Sequence, residues 1–115
     1  IMVSNHGARQ LDNVPSSIEA LAEITAEVKE EVPVFFDGGI RQGTDIFIAL
    51  ALGAKMVFFG RPTIYGLACE GQEGVENIIK ILKRELDLTM CNAGTSCIEM
   101  INREMVVHKN YYAHI

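Results

Sequence analysis

Three short stretches of this sequence hold residues that could do chemistry together. The first, Ser4-Asn5-His6-Gly7-Ala8-Arg9, sets an imidazole three residues before a guanidinium, with Asp12 just beyond. Histidine titrates near neutral pH and suits proton transfer; arginine offers a two-pronged grip on a carboxylate. The second, Asp37-Gly38-Gly39-Ile40-Arg41-Gln42-Gly43, combines glycines that let backbone N–H groups approach a ligand, a helix start just downstream, and an arginine whose fork fits phosphate. The third, Gly60-Arg61, repeats the glycine–arginine pairing. Each stretch also has a plainer use. A histidine near a strand end often serves only as a structural hydrogen-bonding residue, Arg9 could be a solvated loop residue or the partner of Asp12, and Asp-Gly-Gly makes a tight strand-to-helix turn. Taken jointly, a proton acceptor and a carboxylate clamp beside a phosphate-anchored cofactor point to oxidation of a hydroxy acid.

The elements around these stretches explain how they could meet. Ile1-Met2-Val3 is apolar and ends in the Ser-Asn-His-Gly turn, as the tail of a buried strand would. Ser16 and Glu19 have capping-box spacing, and Ile18, Leu21, Ile24 and Val28 recur at helical period, which predicts a helix from about 16 to 31 with Glu19, Glu23, Glu27 and Glu30 on its wetter side. Val-Pro-Val-Phe-Phe-Asp-Gly-Gly at 32–39 is a continuous apolar run, the pattern of a strand covered on both faces in a parallel sheet. A helix capped by Thr44 and closed by Gly53 follows, then a strand at 55–60. Pro62 suits a first helical turn. Val75, Ile78, Ile79, Leu82 and Leu86 signal a longer helix, with Lys80, Lys83 and Arg84 placed towards its end. Ser96 and Glu99 repeat the capping spacing before a short helix with Ile98 and Ile101, and the tail from Val106 to Ile115 has no clear period.

This alternation predicts βαβ units and a parallel sheet whose C-terminal strand ends open on one face. The three stretches would converge there. Three strands cannot close a (β/α)8 barrel, which takes about 250 residues.

Composition sets outer limits. The chain has 115 residues, of which 49% are hydrophobic and 22% charged, ordinary for a soluble globular protein. A net charge of −5, with the ten basic residues scattered, argues against a nucleic-acid or anionic-membrane surface. No apolar run reaches the roughly 18 to 20 residues of a transmembrane segment, and no secretory signal opens the chain, so a soluble intracellular protein is the expectation. Cys69, Cys91 and Cys97 match no metal or redox spacing and read as free thiols, an incidental Cys91–Cys97 disulfide being the alternative.

The runs SNHGARQLD, FFDGGIRQGTDIFIALALGA, FFGRP and GLACEGQEGV together resemble the C-terminal part of the FMN-dependent α-hydroxy-acid oxidases and dehydrogenases, nearest to the glycolate (2-hydroxyacid) oxidases. The resemblance runs from residue 1 to about residue 101. It implies an α/β fold, with 1–115 supplying about strands six to eight and their helices of a (β/α)8 TIM barrel. It also implies that His6 accepts a proton from an (S)-2-hydroxy acid such as glycolate, that Arg9 holds the substrate carboxylate, and that electrons pass to FMN and then to oxygen. Ser4 would contact the flavin. Asp37, Gly38, Gly39, Ile40 and Arg41, with Gly60 and Arg61, would bind the ribityl and phosphate groups of FMN; no metal is implied. The remaining pocket residues of the family would precede Ile1, so the isolated chain is expected to be inactive. At full length the resemblance implies a homotetramer. The other readings are a non-enzymatic half-barrel and an FMN barrel enzyme acting on lactate or mandelate.

Departures from the family pattern are local. Gln42 stands where relatives often carry a second arginine, and CNAGTSCIEMINREM at 91–105 matches loosely. The final Ala113-His114-Ile115 is not the Ser-Lys-Leu type address that a peroxisomal relative would carry.

Overall fold

A computed structural model describes residues 1–29 and 31–114, so the expectations for Glu30 and Ile115 lie outside the described residues. The elements run β1 (Met2–Val3), α1 (Ser17–Val28), β2 (Phe35–Asp37), α2 (Gly43–Ala51), β3 (Met56–Phe58) and α3 (Arg61–Ala93). The strands form one parallel sheet in the order β1-β2-β3. Met2 pairs with Phe35 and Phe35 with Met56; Val3 pairs with Phe36 and Phe36 with Val57. Right-handed crossovers between neighbours in sequential order leave both connecting helices on the same face.

That face holds the core. Val3 and Phe36 pack with Leu21 of α1 and Ala49 of α2, together with Val34, Ile40 and Ala54, while Val57 is partly buried against them. Leu21 and Phe36 are only 0% and 1% exposed, and each such side chain contributes roughly 1.5–3 kcal/mol by leaving water. The other sheet face is different: Met2 and Met56 are 52% and 50% exposed, and Phe58 39%. A second apolar cluster of Phe47, Ala51, Met90 and Ile101 fastens α2 to the far end of α3 and the segment after it.

Several local expectations change. Ser16 is the N-cap of α1 with extended backbone, but its hydroxyl bonds Glu19 Oε2 at 2.7 Å instead of capping a backbone N–H. The cap of α2 is Gln42, which forms a reciprocal box with Asp45, because Thr44 already lies inside the helix. Gly53 does follow its end, at φ +101°. α3 is longer than its apolar period implied and bends at Glu70–Gly71, where the backbone leaves helical geometry. Its inward stripe is Val75, Ile78, Leu82 and Leu86, whereas Ile79 is 51% exposed. Since α3 runs on to Ala93, Lys80, Lys83 and Arg84 fall mid-helix and its last turn has no basic residue. The Ser96–Glu99 capping box is absent: the single turn at Ile98–Met100 starts from Cys97 without a side-chain cap, and the Ser96 hydroxyl meets Met100 sulfur. The tail adds short turns at Arg103–Met105 and Tyr111–His114. All three cysteines are free and exposed, so Cys91 and Cys97 are not bonded. Among the described residues no helix is long and apolar enough to cross a membrane.

Candidate active site at the strand ends

The chain leaves β1 through an unusual turn. His6, Gly7 and Ala8 have φ of +54°, +72° and +58°, three successive residues in the left-handed region. For His6 and Ala8 that region is sparsely populated and costs of order 1–3 kcal/mol each, so neighbours must hold the turn in place. Four contacts do so. The His6 N–H donates to Ser4 Oγ at 3.0 Å, and the Ser4 hydroxyl donates in turn to Asp37 Oδ2 at 2.6 Å, tying the end of β1 to the end of β2. The Ala8 N–H donates to the Asn5 carbonyl at 2.9 Å. Arg61, the first residue of α3 after β3, donates from Nη2 to the Gly7 carbonyl at 2.9 Å across 54 residues of sequence.

All three strand ends are thus joined at one rim. Arg9 Nη2 lies 3.2 Å from His6 Nε2, so the guanidinium donates to the imidazole nitrogen and the two candidate groups form a pair. The glycine turn after β2 presses on the same place: Gly38 has φ +112°, and a Cβ there would come 2.9 Å from Asn5 Oδ1 and 2.5 Å from Ser17 Oγ. Only glycine satisfies both the backbone angle and the approach. Ser4, His6, Arg9, Asp37, Gly38 and Arg61 are therefore brought together by direct contacts or through one intervening residue. Gly39, Ile40, Arg41 and Gly60 adjoin them along the chain, Ile40 turned into the core at 4% exposure and Arg41 exposed.

One feature of the glycine turn differs from the sequence pattern. The helix start downstream of the glycine turn already has carboxylates on its Gln42 and Gly43 N–H groups, which leaves fewer donors there for a ligand than the sequence implied. Asp45 Oδ2 accepts from Arg41 N at 2.8 Å and Gln42 N at 2.9 Å, and Glu85 Oε2 accepts from Gly43 N at 2.8 Å. The guanidinium groups of Arg41 and Arg61 and the turns themselves are the further anion-binding groups at this rim.

Residues missed in the sequence include Asn5, Ser17, Asp45 and Glu85. Asn5 Oδ1 is buried without a hydrogen-bond partner, and Ser17 Oγ, buried beneath the turn, donates to the Gly38 carbonyl at 3.2 Å. Asp45 was legible as the third residue after Gln42 in a box; Glu85 left no local sign. A separate cleft of about 500 Å³ lies between α1, α2 and residues 103–109, touching these turns only at Asn5 and Gly38–Ile40; His6, Arg9, Arg41 and Arg61 do not line it.

Known proteins share both sequence and fold with this chain. Mouse 2-hydroxyacid oxidase 1 is 53% identical over 106 residues, covering 92% of this chain and 29% of that protein. Glycolate oxidase 3 of Oryza sativa subsp. indica is 51% identical over 107 residues, 93% of this chain and 29% of its own length. The chain therefore spans less than a third of the relatives it matches. A mandelate oxidase variant solved with a monooxide FMN adduct superposes with a TM-score of 0.85 at 45% identity, over 90% of this chain and 33% of that one. Residues 1–108 match the family described as FMN-dependent dehydrogenase, and with the histidine, the arginines and the glycine turns gathered at one rim, the chain belongs to that family.

Proposed function

We propose that this chain is the C-terminal sector, about strands six to eight, of a (β/α)8 barrel that oxidises an (S)-2-hydroxy acid of the glycolate class to a 2-oxo acid. The observation that carries the reading is the His6–Arg9 pair at 3.2 Å on a turn held by Arg61. The residues fit FMN. A Cβ on Gly39 or Gly60 would meet no heavy atom within 4 Å, so both glycines border open space beside Arg41 and Arg61. In this reading the Asp37–Arg41 loop with Gly60 and Arg61 would hold the ribityl and phosphate groups, and Ser4, bonded to Asp37, would contact the flavin. Bound FMN supplies the two-electron acceptor; the protein supplies position and charge.

The residues of the chain then divide the remaining work. Arg9 transfers its donors from His6 Nε2 to the incoming carboxylate, which both clamps the substrate and frees the imidazole nitrogen to take the substrate proton. The left-handed turn keeps the imidazole aimed because its backbone is fixed at Ser4 and at Gly7. Substrate class rests on the same pair: a guanidinium beside a base suits a carboxylate next to a carbinol. Oxygen is proposed as the final electron acceptor, the peroxisome as a location shared with relatives so named, and a homotetramer as the full-length assembly.

A hybrid in which this chain replaces the matching residues of mouse 2-hydroxyacid oxidase 1 tests the assignment. Rapid mixing with glycolate should reduce the flavin, and His6→Gln should slow that reduction by about 10²- to 10⁴-fold while FMN stays bound. Near-normal reduction in that variant would remove His6 from the role. The 115-residue chain alone is proposed to be inactive, and turnover by it would contradict the sector reading.

A further inference from the structure

We propose that Glu85 is a positioning residue for the cofactor phosphate, acting through the start of α2 without touching the ligand; this rests on the phosphate site proposed above. Glu85 sits far along α3 and is half-buried. Its Oε2 takes the Gly43 N–H at 2.8 Å, directly after the Arg41-Gln42 step whose two N–H groups Asp45 holds. Gly43 is itself buried against α3, and a Cβ there would collide with the backbone of Glu85 and Leu86. The contact is therefore both a hydrogen bond and a close backbone approach.

Its consequence comes from the other end of the same helix. α3 begins with Arg61, whose guanidinium holds the Gly7 carbonyl. The two halves of α3 meet across the Glu70–Gly71 bend through Gly66 and Gly74, both buried and so close that neither has room for a Cβ. One folded-back helix thus fixes Arg61 at its first residue and, through Glu85, the backbone that carries Arg41. Glu85 thereby helps hold the backbone step that carries Arg41 in place relative to the start of α3 that carries Arg61, and with it their joint grip on a phosphate. Because carboxylates take the Gln42 and Gly43 N–H groups at the head of α2, the helix end has less of its own to offer a phosphate, and the guanidinium groups carry more of the grip.

Binding of FMN and of riboflavin, which lacks the phosphate, separates positioning from general stability. In the hybrid, flavin fluorescence titration should give FMN tighter than riboflavin for the parent, and Glu85→Ala should weaken FMN by about tenfold or more with riboflavin affinity unchanged. Glu85→Asp, which keeps the charge but is one methylene short, should show the same selective loss, and decides the matter if the alanine variant does not fold. Equal loss of both ligands, or no loss of either, would overturn the role of Glu85 while leaving the phosphate site standing. A parent that binds FMN no tighter than riboflavin would overturn the phosphate site and Glu85 with it.

Discussion

Arg9 contacts His6 Nε2, and in the proposed reaction it would also hold the substrate carboxylate; lysine in its place separates the two demands. An ammonium keeps the charge but not the planar fork. Arg9→Lys in the hybrid should lower kcat/KM for glycolate about ten- to hundredfold, the size of a lost charged hydrogen bond, chiefly through KM; unchanged kcat/KM would show that Arg9 does not grip the substrate. The types and spacing of His6 and Arg9 were legible in the sequence because their chemistry is carried by the side chains alone. The long-range contacts around the site were not. Arg61 reaches Gly7 across 54 residues and Glu85 reaches Gly43 across 42, so no local pattern announces either.

At the scale of elements, β2, α1 and α2 were readable from their apolar runs, since burial on a sheet or helix face imposes a period on the chain. Their ends were less so. The Ser16 hydroxyl, bonding the Glu19 carboxylate instead of a backbone N–H, holds the Glu19 carboxyl below its ordinary value of 4.5, helped by the Ser16 backbone and by Lys109 and His108. A folded value below the unfolded one means stability that is present above that ordinary value and lost as pH falls through the lower folded value. Glu19→Gln should therefore lower the urea midpoint near neutral pH, with the effect shrinking as the pH falls below the ordinary value of 4.5 and towards the lower folded value; an effect independent of pH would deny the charge a role. The bend in α3 was hidden for a different reason: the apolar period begins only at Val75, and the turn at Glu70–Gly71 follows from Gly66 and Gly74 touching. Gly74→Ala should separate the two halves of α3 and cost about 1–3 kcal/mol in denaturant unfolding, as overpacking does. A neutral substitution would mean the contact is looser than it stands.

For the molecule as a whole, the sheet has helices on one face and little on the other. Met2, Met56 and Phe58 stand at least 39% exposed on the uncovered side, and the radius of gyration is 15.0 Å, where a closely packed domain of this length has about 13 Å. Both features suit a sector whose inner face is filled by further strands, the arrangement proposed for a barrel. The alternation of strands and helices made a parallel sheet legible, but three strands could not reveal closure, because closure depends on partners outside the sheet. In the proposed barrel the three strand ends gather a proton acceptor and two arginine-bearing turns around one flavin nucleotide. A crystal structure of the hybrid with FMN bound tests it most directly. The phosphate should lie between the Gly39–Arg41 and Gly60–Arg61 turns, with the His6 imidazole on the flavin side of the same rim. FMN seated instead in the cleft beside Ile18, Ile48 and Val107, or at the opposite ends of the strands, would contradict it.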